Sequence, residues 1–382
     1  TIASMECALA EAVFLAGVER NQDIVKLTAY APLLQNSDYT AWRPNLVVFN
    51  NHEVYGIPSY HAISLMAANR GKEVLETETI SDRVPPVYSG VPGIMSSHPG
   101  IEFRNVKVNG EPVGIAQMVY GGVSEEDGNY KLVKAENPHP MTGKNPIWNS
   151  TFGEFMASGY FPGMIVDDDV CWAVFDGEDL EEYTFEADIR LDKDDDVTLS
   201  VWNHHPETDA GCNEPKDPRW NVRSVRNQVW RIEGGKGTLE APSRRPGGSV
   251  PSEELDLRYG EFNHFRIVAK HEGYDCYLNG KLVQKKRHTL HDTVYAVASS
   301  DGDDLILKLI RVGEASDIRI LLDSEVQSEY TLQTLSAPLD AVNSFENREN
   351  VSVRTEKVCG ASSDFVFRAE ENSVNVLRFK MA

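Results

Sequence analysis

The stretch "LTAYAPLLQNSDYTAWRPNLVVFNN", Leu27–Asn51, decides how the start of the chain folds. It ends in "NLVVFNN" (Asn45–Asn51), a short apolar run that follows Pro44 and finishes in two amides. Such a run is typical of a strand buried on both faces, as in a parallel sheet. We therefore predict one buried strand here, with polar side chains at its carboxyl end.

Helical patterns surround this strand. Ser4–Arg20 has apolar residues three and four positions apart, which predicts a helix with one buried face. A second helix is predicted over Asp23–Leu34, and a third over Ser59–Asn69, which Gly71 ends. Alternation of helix and strand is typical of βα organisation, and here it stops near residue 72.

From Glu73 onward the chain consists of short runs in which apolar and polar residues alternate. Between about residues 91 and 290 these runs predict an antiparallel sandwich. Its predicted turns are Asn109-Gly110, Asp176-Gly177, Glu272-Gly273 and Asn279-Gly280. The last of these favours a type I′ hairpin. Further strands over residues 292–382 predict a smaller sandwich.

Composition restricts the function classes. A chain of 382 residues and 42.6 kDa is long enough for two or three compact units. The net charge of −22 disfavours nucleic acids and anionic membranes as partners, whereas a neutral sugar fits it; a role in solubility explains the charge equally well. The five scattered cysteines indicate neither a disulfide framework nor a zinc site. Because the chain begins at Thr1 rather than Met, we expect a processed product or a fragment.

No catalytic motif stands out, and we predict no cofactor and no metal. The acidic runs Asp167–Asp169 and Asp192–Asp196 offer calcium ligands, but they lack the spacing of a calcium loop, and solvated turns explain them better. His204 and His205 are adjacent, so on a strand they would face opposite sides of the sheet. One metal ion is therefore not expected to take both.

Aromatic and acidic residues supply the remaining candidates. Core packing is the favoured role for most of the aromatic residues of the sandwich, and Trp220, in a Pro- and Arg-rich loop, is the best candidate for stacking on a sugar. Glu53 lies just past the predicted strand, where a catalytic group is conceivable but not favoured. The acidic residues of the first helix, Glu6, Glu11 and Glu19, are expected on a solvated face.

Several ordered motifs resemble those of the α-L-arabinofuranosidases of glycoside hydrolase family 51. At the start of the chain they are Ala10-Glu11-Ala12, Glu19-Arg20-Asn21, Tyr30–Leu33, Trp42–Phe49 and Tyr55–Tyr60. At the end they are "VYAVASSDGDDLILKLIRV" (Val294–Val312), "LDAVNSFENRENV" (Leu339–Val351) and "ENSVNVLRFK" (Glu371–Lys380). Together the matching parts cover a little under half of the chain.

The resemblance implies a mainly β fold in three parts. Residues 1–72 would be the last helices and last strand of a (β/α)8 barrel. Residues 73–90 and 291–382 would form the C-terminal β-sandwich of the family. Residues 91–290 would be an inserted sandwich of the concanavalin or laminin-G type. Both catalytic glutamates of the family lie upstream of the motifs present here, so no catalytic residue is assigned and the chain alone is predicted to be inactive.

The resemblance also implies a function and a site. The chain would be the C-terminal part of a retaining α-L-arabinofuranosidase that acts on arabinose side chains of plant polysaccharides. Its partners would be an arabinose-containing oligo- or polysaccharide and the missing N-terminal barrel portion, and the resemblance favours a homo-oligomer. The residues expected to line the arabinose pocket are Asn50, Asn51, Tyr55, Tyr60 and His61. A non-catalytic carbohydrate-binding protein or a purely structural accessory domain is the alternative.

Overall fold

A computed structural model describes residues 3–39, 44–134, 171–203, 228–240 and 250–382. These residues form a mainly β structure with several antiparallel sheets and two helices. Neither helix in the described ranges is long and apolar enough to span a membrane. The chain divides into two compact units, Thr1–Val84 with Leu290–Ala382, and Pro85–Thr289.

The first unit begins with both helices and five short strands. The helices are α1 (Met5–Arg20) and α2 (Pro58–Ala68). The strands are β1 (Leu34–Asn36), β2 (Val47–Phe49), β3 (Val54–Gly56), β4 (Glu73–Leu75) and β5 (Arg83–Val84). The helices predicted from Ser4 and Ser59, and the strand predicted in Asn45–Asn51, are therefore confirmed within a few residues.

The predicted helix over Asp23–Leu34 is wrong. The chain leaves α1 through a turn, runs without regular structure, and then forms β1, which pairs in parallel with β2. Pro32 explains the error, because it lacks an N–H and disfavours the helical conformation at the residue before it. The start of the chain consequently contributes two parallel strands rather than one, and β3 adds to β2 in the antiparallel sense.

The second unit, Pro85–Thr289, consists of strands in its described residues. In chain order they are β6 (Val91–Ser96), β7 (Glu102–Val108), β8 (Glu111–Pro112), β9 (Ile115–Tyr120), β10 (Gly122–Glu126), β11 (Asn129–Val133), β12 (Cys171–Phe175), β13 (Tyr183–Arg190), β14 (Asp196–Asn203), β15 (Gln228–Glu233), β16 (Lys236–Glu240), β17 (Val250–Glu254), β18 (Phe262–Lys270), β19 (Gly273–Leu278) and β20 (Lys281–Arg287).

These strands form two antiparallel sheets. One has the order β10-β11-β7-β13-β18-β19-β20, with β8 attached to β7, and the other has the order β17-β16-β15-β14-β6-β12-β9. One hydrophobic core draws on both, including Phe103 and Phe185 from the first sheet and Trp230 from the second. The predicted hairpin at Asn279-Gly280 is confirmed, since both residues have the positive φ angles that a type I′ turn requires.

The first unit is completed by the last strands of the chain. They are β21 (His291–Asp292), β22 (Val294–Asp301), β23 (Asp304–Arg311), β24 (Ser316–Leu321), β25 (Val326–Ser336), β26 (Arg354–Cys359), β27 (Asp364–Ala369) and β28 (Ser373–Met381). A six-stranded sheet in the order β26-β25-β28-β23-β22-β4 is its centre. Both helices pack on one face of this sheet, and side chains of β24 and β27 pack on the other.

Burial of this sheet on both faces explains the apolar interior of β23, where Lys308 is the one charged residue between Asp304 and Arg311 at the strand ends. Lys308 is fully buried and forms an ion pair with Glu19 of α1, which is also buried. The expectation that Glu19 lies on a solvated helix face is therefore wrong. A lysine in the centre of a buried strand needs a counter-charge, and the helix that covers the strand provides it.

Candidate functional site

The candidate site lies where β2 ends, and its first residue, Asn50, organises the turn into β3. The Asn50 side-chain oxygen accepts hydrogen bonds from the backbone N–H groups of His52 (2.9 Å) and Glu53 (2.7 Å). The Asn50 N–H in turn donates to the Glu53 carbonyl at 3.0 Å. Asn50 thus satisfies backbone groups at the strand end with its oxygen, while its side-chain nitrogen donates to no described residue. Asn51, next along, is exposed.

The aromatic candidates stand on β3 and on the first turn of α2. Tyr55 makes an edge-to-face contact with Phe345, with ring centroids 5.0 Å apart. Tyr60 makes a similar contact with His61 at 5.4 Å and remains exposed. The close approach of Tyr60 requires glycine at position 56, since a Cβ there would lie 2.3 Å from the Tyr60 ring. The structure therefore fixes the position of Tyr60 against the end of β3.

His61 is half-buried and has an unusual environment. Its Nε2 atom is shielded from solvent and has no hydrogen-bond partner among the described residues. Burial lowers the pKa of His61 from its ordinary value, and the nearby Glu349 carboxylate partly opposes this effect. The ring is therefore held toward its neutral form, in which one nitrogen donates and the other accepts a hydrogen bond.

Glu53 is engaged in an ion pair with Arg348, and both side chains are partly exposed. A carboxylate fixed in this way suits the positioning of a loop, and the pair contributes little to stability because water screens it. Arg348 belongs to the segment Leu339–Val351, which also supplies Phe345 and Glu349 to this region.

The segment Leu339–Val351 is held by Asn343, which is almost fully buried. The Asn343 side-chain nitrogen donates to the carbonyls of Gly56 (2.9 Å) and Val351 (3.0 Å), and its oxygen accepts from the Val351 N–H at 2.7 Å. Sequence reasoning named none of these segment residues as part of the site. The signal that could have found them is the family-like stretch "LDAVNSFENRENV", in which they all lie.

The candidates outside this region fall into three groups. Trp172, Trp202, Trp230 and Tyr274 are buried, which agrees with core packing rather than sugar stacking. The second group lies outside the described residues: Trp220, Asp167–Asp169, His204 and His205. The third, the run at Asp192, forms a turn closed by Asp195, whose carboxylate accepts the Asp192 N–H at 2.6 Å. In the part of the chain that the structure describes, no group of three or more His, Cys, Asp or Glu residues could hold a metal ion.

Comparison with known proteins identifies the chain. The family described as "Alpha-L-arabinofuranosidase C-terminal domain" matches residues 1–373. The extracellular exo-α-L-arabinofuranosidase of Streptomyces chartreusis is 27% identical over 398 aligned positions, covering 97% of this chain and 42% of that protein. A probable α-L-arabinofuranosidase A of Aspergillus flavus is 42% identical over 86 residues, which cover 22% of this chain and 14% of that protein.

Among solved structures, the arabinose-bound MgGH51 α-L-arabinofuranosidase is 14% identical with a TM-score of 0.40, and the match covers 100% of this chain and 28% of that one. The chain thus spans less than half the length of the Streptomyces protein. Since the family match extends over nearly the whole sequence, the chain belongs to the C-terminal domains of the family 51 α-L-arabinofuranosidases.

Proposed function

We propose that this chain is the C-terminal part of a retaining α-L-arabinofuranosidase that removes arabinofuranosyl side chains from plant polysaccharides. The observation that carries the proposal is the family match over residues 1–373, together with a strand pair whose carboxyl end leads into polar and aromatic side chains. In barrel enzymes this end of the strands holds the active site. Asn50, Asn51, Tyr55, Tyr60 and His61 would then line one side of the arabinose pocket.

Hydrogen-bonding capacity supports this assignment of the site residues. A furanose presents hydroxyl groups that both donate and accept, and amide, phenol and neutral imidazole groups match them. The exposed Tyr60, the Asn50 side-chain nitrogen and Nε2 of His61 are groups of these kinds, and neither nitrogen bonds to a described residue. The retaining reaction itself needs two carboxyl groups, which we assign to polypeptide beyond this chain.

The exposed apolar surface of the first unit supports a missing barrel portion. Strand β1 pairs only with β2 among the described residues, so one of its edges is open to a further strand. Large apolar side chains on and before this strand are exposed: Phe14, Ile24, Leu27, Leu33 and Leu34. Large apolar side chains left exposed in this number suit a surface where further polypeptide packs. We assign it to the strands and helices that would complete the barrel.

The second unit would be the inserted sandwich of the concanavalin or laminin-G type, over about residues 91–290. Its two antiparallel sheets around one core support this assignment. The remaining parts would be the barrel piece at 1–72 and the family sandwich at 73–90 and 291–382.

A chimera tests the proposal. The segment of the Streptomyces chartreusis protein that precedes its match would be joined to this chain, and turnover of 4-nitrophenyl α-L-arabinofuranoside measured. The chain alone should show no turnover, whereas the chimera should be active. Tyr60→Phe in the chimera should reduce kcat/KM by about tenfold, the loss expected for one hydrogen bond of about 1.4 kcal/mol. Tyr259→Phe, in the second unit, is the matched control. Activity of the isolated chain, or equal effects of both variants, would overturn the proposal.

A further inference from the structure

The outer face of the sheet that contains β7, β13 and β18 carries an arrangement of charges that the proposed reaction does not use. Along β13 and β18 every second side chain is buried in the core, so the others point away from it. The charged and aromatic residues among them are Glu186, Asp188 and Arg190 on β13, and Phe262, His264, Arg266 and Lys270 on β18. The face is consequently polar and rich in side chains that can bind a ligand.

Most charges on this face already have partners. Asp188 accepts a hydrogen bond from Asn105 (2.7 Å) and lies 2.8 Å from Nδ1 of His264. Glu102 forms ion pairs with Arg190 and with Lys131, the latter at 3.6 Å. The charges of Asp188 and Glu102 are therefore already compensated by partners on the same sheet.

Two cations that flank Glu186 form no ion pair with a described residue. Arg266 and Lys107 lie on either side of Glu186, which is in register with both. Glu186 approaches Nε2 of His264 instead, at 3.7 Å, and neither cation forms an ion pair with any described residue. The guanidinium of Arg266 lies over the Tyr277 ring, 4.7 Å from its centroid, and its Nε is shielded from solvent with no hydrogen-bond partner among the described residues.

This arrangement suits a carboxylate. A guanidinium is a planar fork of donors that binds a carboxylate through two parallel hydrogen bonds, and stacking on Tyr277 holds that fork in one orientation. Lys107 supplies a second positive charge. It lies two strands away on β7, which at the usual strand spacing is about 10 Å. The two cations can therefore contact separate carboxylates of one extended ligand that crosses the strands.

We propose that Arg266 and Lys107 bind carboxylate groups of a uronic-acid-bearing glycan on the outer face of this sheet. The choice of a glycan over an acidic protein rests on the proposed function, because plant polysaccharides with arabinofuranosyl side chains also contain uronic acids. The net charge of −22 makes accumulation of a polyanion on the molecule as a whole unfavourable. Binding of such a polymer therefore requires a local site.

The experiment measures binding of polygalacturonate to the full 382-residue chain by calorimetry, with neutral arabinan and polyglutamate as comparison ligands. Polygalacturonate should bind, and Arg266→Gln should weaken binding roughly tenfold to a hundredfold, as expected for loss of a charge-assisted pair. The affinity of Arg266→Lys should lie between those of the native chain and Arg266→Gln, because lysine keeps the charge but lacks the planar fork of donors. Lys107→Gln should weaken binding by a smaller factor.

Arg258→Gln is the matched control, because it removes the same charge from an exposed residue off the sheet, and it should leave the affinity within about twofold. A thermal melt of each variant shows that it folds. The proposal is overturned if polygalacturonate does not bind, if Arg258→Gln weakens binding as much as Arg266→Gln, or if polyglutamate binds equally well. Each of these results concerns binding alone, so none can be confused with failure of the chimera to hydrolyse an arabinofuranoside.

Discussion

Replacing Glu19 with methionine should destabilise the first unit by removing the only counter-charge that Lys308 contacts in the described part of the chain. Lys308 has 0% and Glu19 8% of its side chain exposed. Burial lowers the pKa of Lys308, the Glu19 carboxylate raises it, and Arg70 and Arg378 lower it further. Without Glu19, every remaining influence favours the neutral amine.

The size of the effect has a ceiling. A buried lysine left alone can lose its proton, and at pH 7 this costs about 4.6 kcal/mol from an ordinary lysine pKa of about 10.4. Breaking a buried ion pair typically costs about 3–5 kcal/mol. We therefore expect Glu19→Met to reduce the free energy of unfolding by about 3–4.5 kcal/mol at pH 7. The double variant Glu19→Met/Lys308→Met should be nearly neutral, because it replaces the pair with apolar side chains of similar length.

The pH dependence distinguishes loss of the ion pair from simple loss of packing. In Glu19→Met the unfolded chain binds a proton at Lys308 that the folded chain does not, so stability rises with pH. Between pH 7 and pH 9 the variant should regain about 2.7 kcal/mol relative to the native chain. Urea unfolding at pH 7 and pH 9 measures the loss of unfolding free energy and its recovery. Hydrogen exchange in α1 and β23 localises the change, with β13 of the second unit as the internal reference.

A cost below about 1 kcal/mol, a pH-independent cost, or a double variant as unstable as the single one would refute the reasoning.

Two further predictions concern the candidate site. Asn343→Ala should lower the free energy of unfolding by about 2–3 kcal/mol, because the Gly56 carbonyl and both backbone groups of Val351 lose a buried partner. Thermal melts of both variants measure this. Asn347→Ala, at an exposed neighbour, should change the free energy of unfolding by no more than about 0.5 kcal/mol, and equal losses in the two variants would contradict the role of Asn343. His61 should titrate by NMR below about 6.5, and further below it in Glu349→Gln, because burial lowers its pKa and Glu349 opposes this. Its contribution to stability is therefore present above about pH 6.5 and is lost as the pH falls through the lowered value; a pKa above 6.5 would contradict the reasoning.

The elements that could be predicted from the sequence are those determined by residues close together in the chain. The helices α1 and α2 follow from apolar periodicity, and the hairpin at Asn279-Gly280 follows from the positive φ angles that this dipeptide tolerates. The strand in Asn45–Asn51 was equally predictable from its short apolar run, but its expected burial on both faces was not, because Val48 is buried while Val47 and Phe49 are only half-buried.

Long-range contacts account for what could not be predicted. Glu19 meets Lys308 across 289 positions, and Glu53 meets Arg348 across 295, so no window of sequence contains either pair. The predicted helix before β1 failed for a related reason, since pairing with β2 and Pro32 outweighed the helical preferences of its residues. Phe345 belongs to the candidate site only because the segment around Asn343 folds back against β3.

The first turn of α1 has a consequence for how the protein is made. The N–H groups of Met5 and Glu6 donate to the carbonyls of Ala341 and Leu339, so backbone groups far apart in the sequence are bonded to each other. The first unit is built from Thr1–Val84 and Leu290–Ala382, while Pro85–Thr289 is continuous. During translation the continuous unit can complete its sheets on the ribosome. The apolar face of α1, in contrast, stays uncovered until the strands between residues 290 and 382 that pack on it have emerged, and it is exposed to aggregation for that time.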